Sequence, residues 1–428
     1  MTTIDTPMTP APLPGAGPGP EPEPPSRQVG PGAWLRANLF STPFNTVLTI
    51  VFGALLGWLA FRALRFVFVT TDWEIIRRNL RQFMVGLFPE DEVWRVWASL
   101  YVAAAGIGFV AGAAPRSALR GIEEGEGGEP ARSPLVGFVR RAWPLGLLLG
   151  GVLAQTRTIG PTLLVLVGLG IGVVAWGVGR VVPLRVAGRW PLVFAAAILL
   201  ALVLPGIFGG VRQAEWGGFH LTLYVSVIGI AASFPLGLLV ALARRSSLPL
   251  LRVLASAYVE VFRGVPLITL LFMSEAVLLF LFPTSVDPWS DLNRAIVAIA
   301  VFESAYIAEI IRGGLKAVPS GQYEAARALG LSPYRVMRRV VMPQGLRAVI
   351  PAIVGQFISA YKDTTLLFII GTAELLRIAD RATSQPDFLA QGLQGVTFAF
   401  VGFLFWVGSF MMSRESQRIE RRLGVGER

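Results

Sequence analysis

The chain reads as long apolar blocks set apart by short polar stretches that carry most of its arginines. The blocks cover residues 47–69, 93–111, 142–155, 162–178, 191–207, 218–243, 265–282, 295–311, 349–370 and 395–412. About 20 apolar residues cross a bilayer as a helix, so the pattern predicts about ten crossings. Block 142–155 is short for a span; paired with its successor as a re-entrant loop, it lowers the number to eight. Residues 1–33 are rich in Pro and Gly and hold almost no large apolar side chains, which predicts a disordered tail. That tail has neither the basic start nor the apolar core of a signal peptide, so block 47–69 is expected to act as an uncleaved insertion signal.

The polar stretches set the orientation. Arginines occur in 115–141, 179–189, 244–252 and in the tail from Arg414, through Arg418, Arg421 and Arg422. Strict alternation puts these stretches and both termini on the cytoplasmic side. Stretch 70–92 would be external yet holds Arg77, Arg78 and Arg81, which a helix lying at the membrane interface accommodates. The run Glu123, Glu124, Glu126, Glu129 among glycines reads as a solvated flexible linker.

Composition agrees with this pattern. Hydrophobic residues make up 54% and charged residues 15%, and mean hydropathy is +0.61, a balance that places most of the chain in lipid. The formal charge of +11 follows from arginines between apolar blocks, which argues for cytoplasmic retention of loops and against a nucleic-acid partner. The absence of cysteine and the single His220 exclude disulfides, thiolate ligation and a histidine metal cluster. His220, just before a block, is expected to be an interfacial residue.

One polar stretch has internal structure. In 311–343, Ser320 is placed to cap a helix running from Gly321 through Leu329, and Gly330 supplies the left-handed residue that ends it. Ser332 and Pro333 then suit the N-cap and first position of a second helix, with Val336 and Val340 on one face and Arg335, Arg338 and Arg339 on others. Pro343 is expected to stop it. Between Arg312 and Arg347 the basic residues Arg312, Lys316, Arg327, Arg335, Arg338, Arg339 and Arg347 stand against Glu324 as the sole acid, which assigns the loop to the cytoplasm.

Glu324-Ala325-Ala326, with Gly330 six residues after the Glu and Pro343 thirteen after that Gly, resembles the EAA loop of ABC importer permeases. The flanks AYIAE at 305–309, Arg312-Gly313-Gly314, Gly321-Gln322 and Lys362-Asp363-Thr364-Thr365 resemble the polar amino-acid uptake permeases, with Thr365 where Ser is usual. The likeness runs from Trp216 to the C-terminus, and Asn38-Leu39-Phe40 to Asn45 resembles the start of the long, general L-amino-acid subtype. More N-terminal spans are predicted here than that subtype usually has.

The resemblance implies an all-α, polytopic membrane helix bundle: an ABC importer type I permease core of five helices preceded by extra N-terminal transmembrane helices. Its domains would be a tail at 1–33, N-terminal helices at 34–210, a core at 216–413 with the coupling loop, and a basic cytoplasmic tail at 414–428. It implies a multi-pass protein of the bacterial inner membrane that moves amino acids delivered by a periplasmic binding protein. Gly321, Glu324, Ala325, Ala326, Gly330 and Pro343 would form the docking site for an ABC ATPase subunit, and the assembly would hold a second permease subunit, identical or homologous.

Ionisable residues inside apolar blocks cost about 2.5–3.5 kcal/mol each at a helix centre and require compensation. Glu275 and Glu303 interrupt two blocks, the latter one turn from Tyr306; each either lines a polar passage facing an amino acid's cationic group or makes a structural helix contact. Lys362, Asp363 and Thr364 suggest a broken helix, whose free backbone ends would form a solute site with Lys362 on a carboxylate, or else a kink that fixes packing. Near the inner end, Glu260 and Arg263, with Pro266 following, read either as a gate-region ion pair or as interfacial anchoring by Arg263. For Glu309 and Arg312 an ordinary salt bridge is expected.

Lys316 and Lys362 are the only lysines, and neither lies in a G-x-x-x-x-G-K-[ST] sequence, so the chain cannot cradle ATP phosphates. It is read as a transport subunit with no cofactor of its own, ATP and Mg being bound by the partner ATPase. Two other classes share part of this pattern. An ion-coupled secondary amino-acid transporter would share the buried carboxylates but has no need of a capped helix-turn-helix. A membrane-tethered DNA-binding regulator would need a reading helix free of flanking spans.

Overall fold

The computed structural model describes residues 30–119, 159–183, 189–204, 211–281, 290–389 and 391–422. The tail through residue 29, the acidic run 123–129 and block 142–155 lie outside them. The chain divides into two compact units, Met1–Thr71 and Asp72–Arg428.

In the first unit, α1 (Pro31–Asn38) begins inside the interval read as a tail. α2 (Pro43–Arg65) follows, with Thr42 at the N-cap accepting from the Asn45 N–H at 3.1 Å and Pro43 in the first turn. Arg62 and Arg65 in the last turn complement the helix dipole, and a π-helical turn, Phe66–Thr70, prolongs the rod. No residue of α2 is buried within the protein. An apolar helix presented this way is suited to lipid.

The second unit opens with α3 (Glu74–Val85), in which Ile75, Ile76, Leu80 and Phe83 are buried and Glu74 pairs with Arg77 and Arg78 on the other side. Stretch 70–92 thus holds a local amphipathic helix whose apolar face packs on other helices of this unit. α4 (Trp94–Leu119), α5 (Ile159–Val181) and α6 (Trp190–Val203) then pack together. A Cβ on Gly108 would fall 2.2 Å from the Gly172 carbonyl oxygen, and one on Gly112 would fall 2.3 Å from that of Trp176. The α4 and α5 backbones therefore meet through small residues spaced by four, the association available to helices whose apolar surface gains nothing by leaving lipid.

The core comprises α7 (Gly218–Ala243), the pair α8 (Pro249–Gly264) and α9 (Leu267–Leu281), α10 (Asp291–Ala317), α13 (Met342–Asp363) and α15 (Gln394–Arg422). Counting α8 and α9 as one span bent by 104° at Val265–Pro266, these are the expected five. α10 sits at the centre against α7, α8, α9 and α13. Ile299, Ile307, Ile311 and Leu315 on it are fully buried.

Six described helices are long and apolar enough to cross a membrane, and the bent pair makes seven. α10, at 27 residues, is about 40 Å long but carries too many charges to register as apolar. Within the described part of block 191–207, α6 spans 14 residues.

Three short helices terminate the core at its two ends. α11 (Ser320–Ala328) and the single turn α12 (Pro333–Val336) follow α10 at one end. α14 (Leu375–Thr383) lies at the other, where it packs on α3, α7 and α15. There Asn79 and Gln385 exchange side-chain hydrogen bonds of 3.3 and 2.7 Å. The buried Glu374 side chain caps α14, accepting the Leu376 and Arg377 N–H groups at 2.8 and 2.7 Å.

Candidate functional site: a coupling helix and a buried polar path

The loop between α10 and α13 is built by its termini. α11 starts at Ser320 with Pro319 as N-cap and no side-chain cap bond, so the expected Ser320 cap is not made. Proline supplies the extended entry instead. The other end follows the sequence closely: Gly330 has φ +75°, its N–H reaches the Arg327 carbonyl at 2.9 Å, and the Leu331 N–H reaches Ala326 at 3.2 Å. These paired bonds are a Schellman motif. Ala326 is buried beneath the helix, whereas Gly321, Glu324, Ala325 and Gly330 are exposed. Tyr323 ties α11 back, its hydroxyl donating to the Leu315 carbonyl at 3.2 Å and accepting from Arg245 at 3.1 Å. α11 is thus anchored on one side and open on the other.

Ser332 and Pro333 occupy the N-cap and first turn of α12 as expected. Pro343 does not end the second helix. A π turn, Met337–Val341, carries α12 straight into α13, and Pro343 falls in the first turn of α13, where its missing N–H is not needed. Exposed Pro343 therefore joins the loop rigidly to a core helix.

Above this loop, Glu309 gathers three arginines. Arg244, at the end of α7, donates to Oε2 at 2.6 Å, Arg312 donates to both oxygens, and Arg263 on α8 lies 3.8 Å away. The expected Glu309–Arg312 bridge is present, enlarged into a clasp over three helices. The Glu260–Arg263 pair is not formed: Glu260 is exposed, and Arg263 instead approaches Glu309 and lies 5.4 Å over the Tyr306 ring. The bend at exposed Pro266 turns the chain away after this point. Arg244 was missed because nothing local to it marks a partner 65 residues ahead.

Glu303 is buried at 1% exposure on α10. Gln356 of α13 donates to its Oε2 at 2.9 Å, and its Oε1 is also buried. Asp363, seven residues beyond Gln356 and so on the same face of α13, brings its carboxyl close enough to interact with that of Glu303. Gln356 was legible only in hindsight from that spacing. Tyr306, half-buried, stacks obliquely on Phe302 with ring centres 5.0 Å apart.

At the expected break, α13 ends at Asp363 and tightens into a 3-10 turn, Thr364–Phe368. The Thr364 and Thr365 hydroxyls donate to the Tyr361 and Lys362 carbonyls at 2.7 and 2.8 Å, satisfying backbone groups that the change of helix frees. Thr364 is fully buried, while Lys362 is exposed with no ion pair among the described residues.

Glu275 lies elsewhere. Arg294, only 5% exposed and absent from the sequence reading, donates from Nη2 to Glu275 at 2.8 Å and to Asp291 at 2.6 Å. The charge of Glu275 is compensated by the protein itself. His220 is in contact with Trp216 and Phe88, ring centres at 5.7 and 6.2 Å, and among the described residues no cluster suits a metal ion.

The chain matches, over residues 233–425, the family described as binding-protein-dependent transport system inner membrane component. It is 34% identical to the inner membrane amino-acid ABC transporter permease protein YhdY of Escherichia coli (strain K12), covering 92% of this chain and 93% of that protein. It is 36% identical to the glutamate/glutamine/aspartate/asparagine transport system permease protein BztC of Rhodobacter capsulatus, covering 93% of this chain and 95% of that one. A crystal structure of an amino acid ABC transporter with histidines is 31% identical, covering 47% of this chain and 90% of that chain, with a TM-score of 0.42. The chain belongs to the binding-protein-dependent inner-membrane transport components, as a permease of the long form.

Proposed function

We propose that this protein is the membrane-spanning subunit of an ATP-driven importer that passes amino acids handed over by a periplasmic binding protein. The observation that carries this reading is α11: a helix with a Schellman stop, fixed to the bundle through Tyr323 and Ala326, exposing Glu324 and Ala325 between two membrane helices. The loop joins α13 without a break through α12 and the π turn, so a push on α11 is passed to the level of Asp363. ATP and Mg belong to the partner ATPase, since the sequence has no P-loop. The permease is a transport component and carries out no covalent chemistry.

The arginine-rich loops support a cytoplasmic coupling end, in a bacterial inner membrane, with both termini on that side. The core 216–413, with its loop at 311–343, contains the path. The helices at 34–210 precede it in the chain, and the basic tail at 414–428 follows it. A second permease subunit, identical or homologous, completes a pathway that one copy leaves exposed at Lys362.

Within the path, the facing carboxyls of Glu303 and Asp363 suit an ammonium group, and Lys362 suits a carboxylate. Glu275, already paired with Arg294, acts as a helix fastener, and Arg263 with Tyr306 and Glu309 forms the inner constriction. Affinity purification of the tagged chain from membranes tests the assembly. Copurification of a Walker-type ATPase is expected; a chain that purifies alone and is active alone would overturn the reading.

A further inference from the structure

At the end of the core opposite α11, a cavity of about 270 Å³ opens between the entry to α7, the start of α10 and the turn after α13. Its floor holds Trp216, Leu221, Leu292 and Ala373, and ligand pockets of about 300 Å³ and above usually take drug-sized molecules. This cavity is sized for a metabolite. Two charged side chains line it, Asp291 from α10 and Arg381 from α14, with the polar Gln213, Ser290 and Thr372 also on its wall.

The two charges differ in how they are used. Asp291 accepts from Arg294 through Oδ1, yet its side chain is 68% exposed, and the trio Glu275–Arg294–Asp291 carries two acids to one base. Asp291 is the acid through which this two-acid cluster reaches the cavity wall. Arg381 is exposed and makes no side-chain hydrogen bond or ion pair among the described residues, so its fork of donors is open. An unpaired guanidinium on one element and a net-negative cluster on another, around a metabolite-sized cavity, match a small zwitterion. The guanidinium would take a carboxylate by two parallel bonds, and Asp291 would take an ammonium.

We infer that this cavity is a second amino-acid site, at the outer mouth of the permease, recognising the α-carboxylate and α-ammonium common to all amino acids. It rests on the importer reading for its substrate class and lies apart from the Glu303–Gln356–Asp363 cluster. Because it contacts only the shared backbone groups, it accepts amino acids with different side chains and leaves selection to other parts of the system.

The test uses the purified permease–ATPase complex without binding protein or nucleotide, and radiolabelled L-glutamine and L-glutamate as probes. Both are expected to bind, and both to be displaced by the other. N-acetyl-glutamine, lacking the ammonium, and glutamine methyl ester, lacking the carboxylate, are expected to compete poorly. Arg381→Gln removes a group with no internal partner and so leaves the fold intact; it is expected to weaken binding roughly tenfold or more, the weight of one charge-assisted hydrogen bond. Ala214→Trp, filling the cavity from its wall, is expected to abolish this component, and Glu303→Gln to leave it unchanged. Absence of binding, equal competition by the blocked analogues, or unaltered affinity in both cavity variants would overturn the site. Failure of the importer reading has a separate signature, uptake that does not require ATP.

Discussion

Gln356 on α13 donates from Nε2 to Glu303 Oε2 on α10 at 2.9 Å, fastening an amide to a carboxylate that is 1% exposed. The bond joins the central helix of the core to the helix that runs without interruption from the coupling loop. The remaining carboxylate oxygen is buried, and the Asp363 carboxyl lies near enough to share a hydrogen bond with Glu303.

Glu303→Leu leaves the Gln356 amide without its acceptor, a cost of about 1–3 kcal/mol, and removes the group proposed to meet the ammonium. Glu303→Gln keeps an acceptor and the volume. Thermal unfolding in detergent is expected to fall for Leu and hold for Gln, while uptake falls in both; full uptake by the Gln variant would leave the carboxylate a structural role alone.

At Gly330 the space around an added Cβ is open, so substitution acts through the backbone. Gly330→Val at φ +75° is expected to cost about 1–2 kcal/mol locally, to fray the end of α11, and to reduce ATPase retention on affinity resin without lowering membrane insertion. Gly330→Asn, which tolerates this conformation, is expected to lie close to wild type. Equal loss in both would point to a side-chain clash with the partner instead.

The clasp on Glu309 is uneven. A double-mutant cycle between Arg244→Ala and Glu309→Gln is expected to show coupling of about 1 kcal/mol, since the pair is close but partly exposed, whereas the Arg263 pair, at 3.8 Å, is expected near zero. Reversed magnitudes would mean that Arg263 is the main latch.

Burial pushes the Glu374 carboxyl up to about 7, against two backbone N–H donors that favour its charged form. Between about pH 4.5 and about pH 7 the folded protein holds a proton there that the unfolded chain has released. Stability therefore declines as pH rises through that window. In Glu374→Gln the melting temperature is expected to lose this part of its pH dependence, and an unchanged profile would assign the dependence to other groups.

Lys362→Met is expected to lower turnover while the ATPase remains bound, because Lys362 and α11 lie at opposite ends of α13. Wild-type uptake by this variant would return the lysine to packing or anchoring.

Much of the core was legible because its cues are local. Gly330 marks a left-handed stop and Ser332-Pro333 a start, and each is found where its chemistry requires. The Lys362–Thr365 run suggests a broken helix, whereas the chain stays helical there and only tightens into a 3-10 turn. Pro343 was misread because a proline that ends one helix also suits the first turn of another, and only the π turn before it decides. The Glu260–Arg263 pairing failed for a different reason: a partner three residues away competes with groups from other helices, and Glu309 and Tyr306 won Arg263. Arg294, Gln356 and Arg244 owe their roles to contacts between elements, which spacing along one helix does not encode. Among the described residues, α10 is obscured as a crossing because it spends its length on charges, and block 142–155 and the end of block 191–207 lie outside them.

Reconstitution into proteoliposomes tests the central claim most directly. With the permease, its copurified ATPase and a loaded amino-acid-binding protein, uptake of labelled L-glutamine or L-glutamate is predicted to require ATP, to persist when ion gradients are collapsed, and to drop with Gly330→Val. Uptake that runs on an ion gradient with no nucleotide, and is indifferent to Gly330→Val, would contradict it.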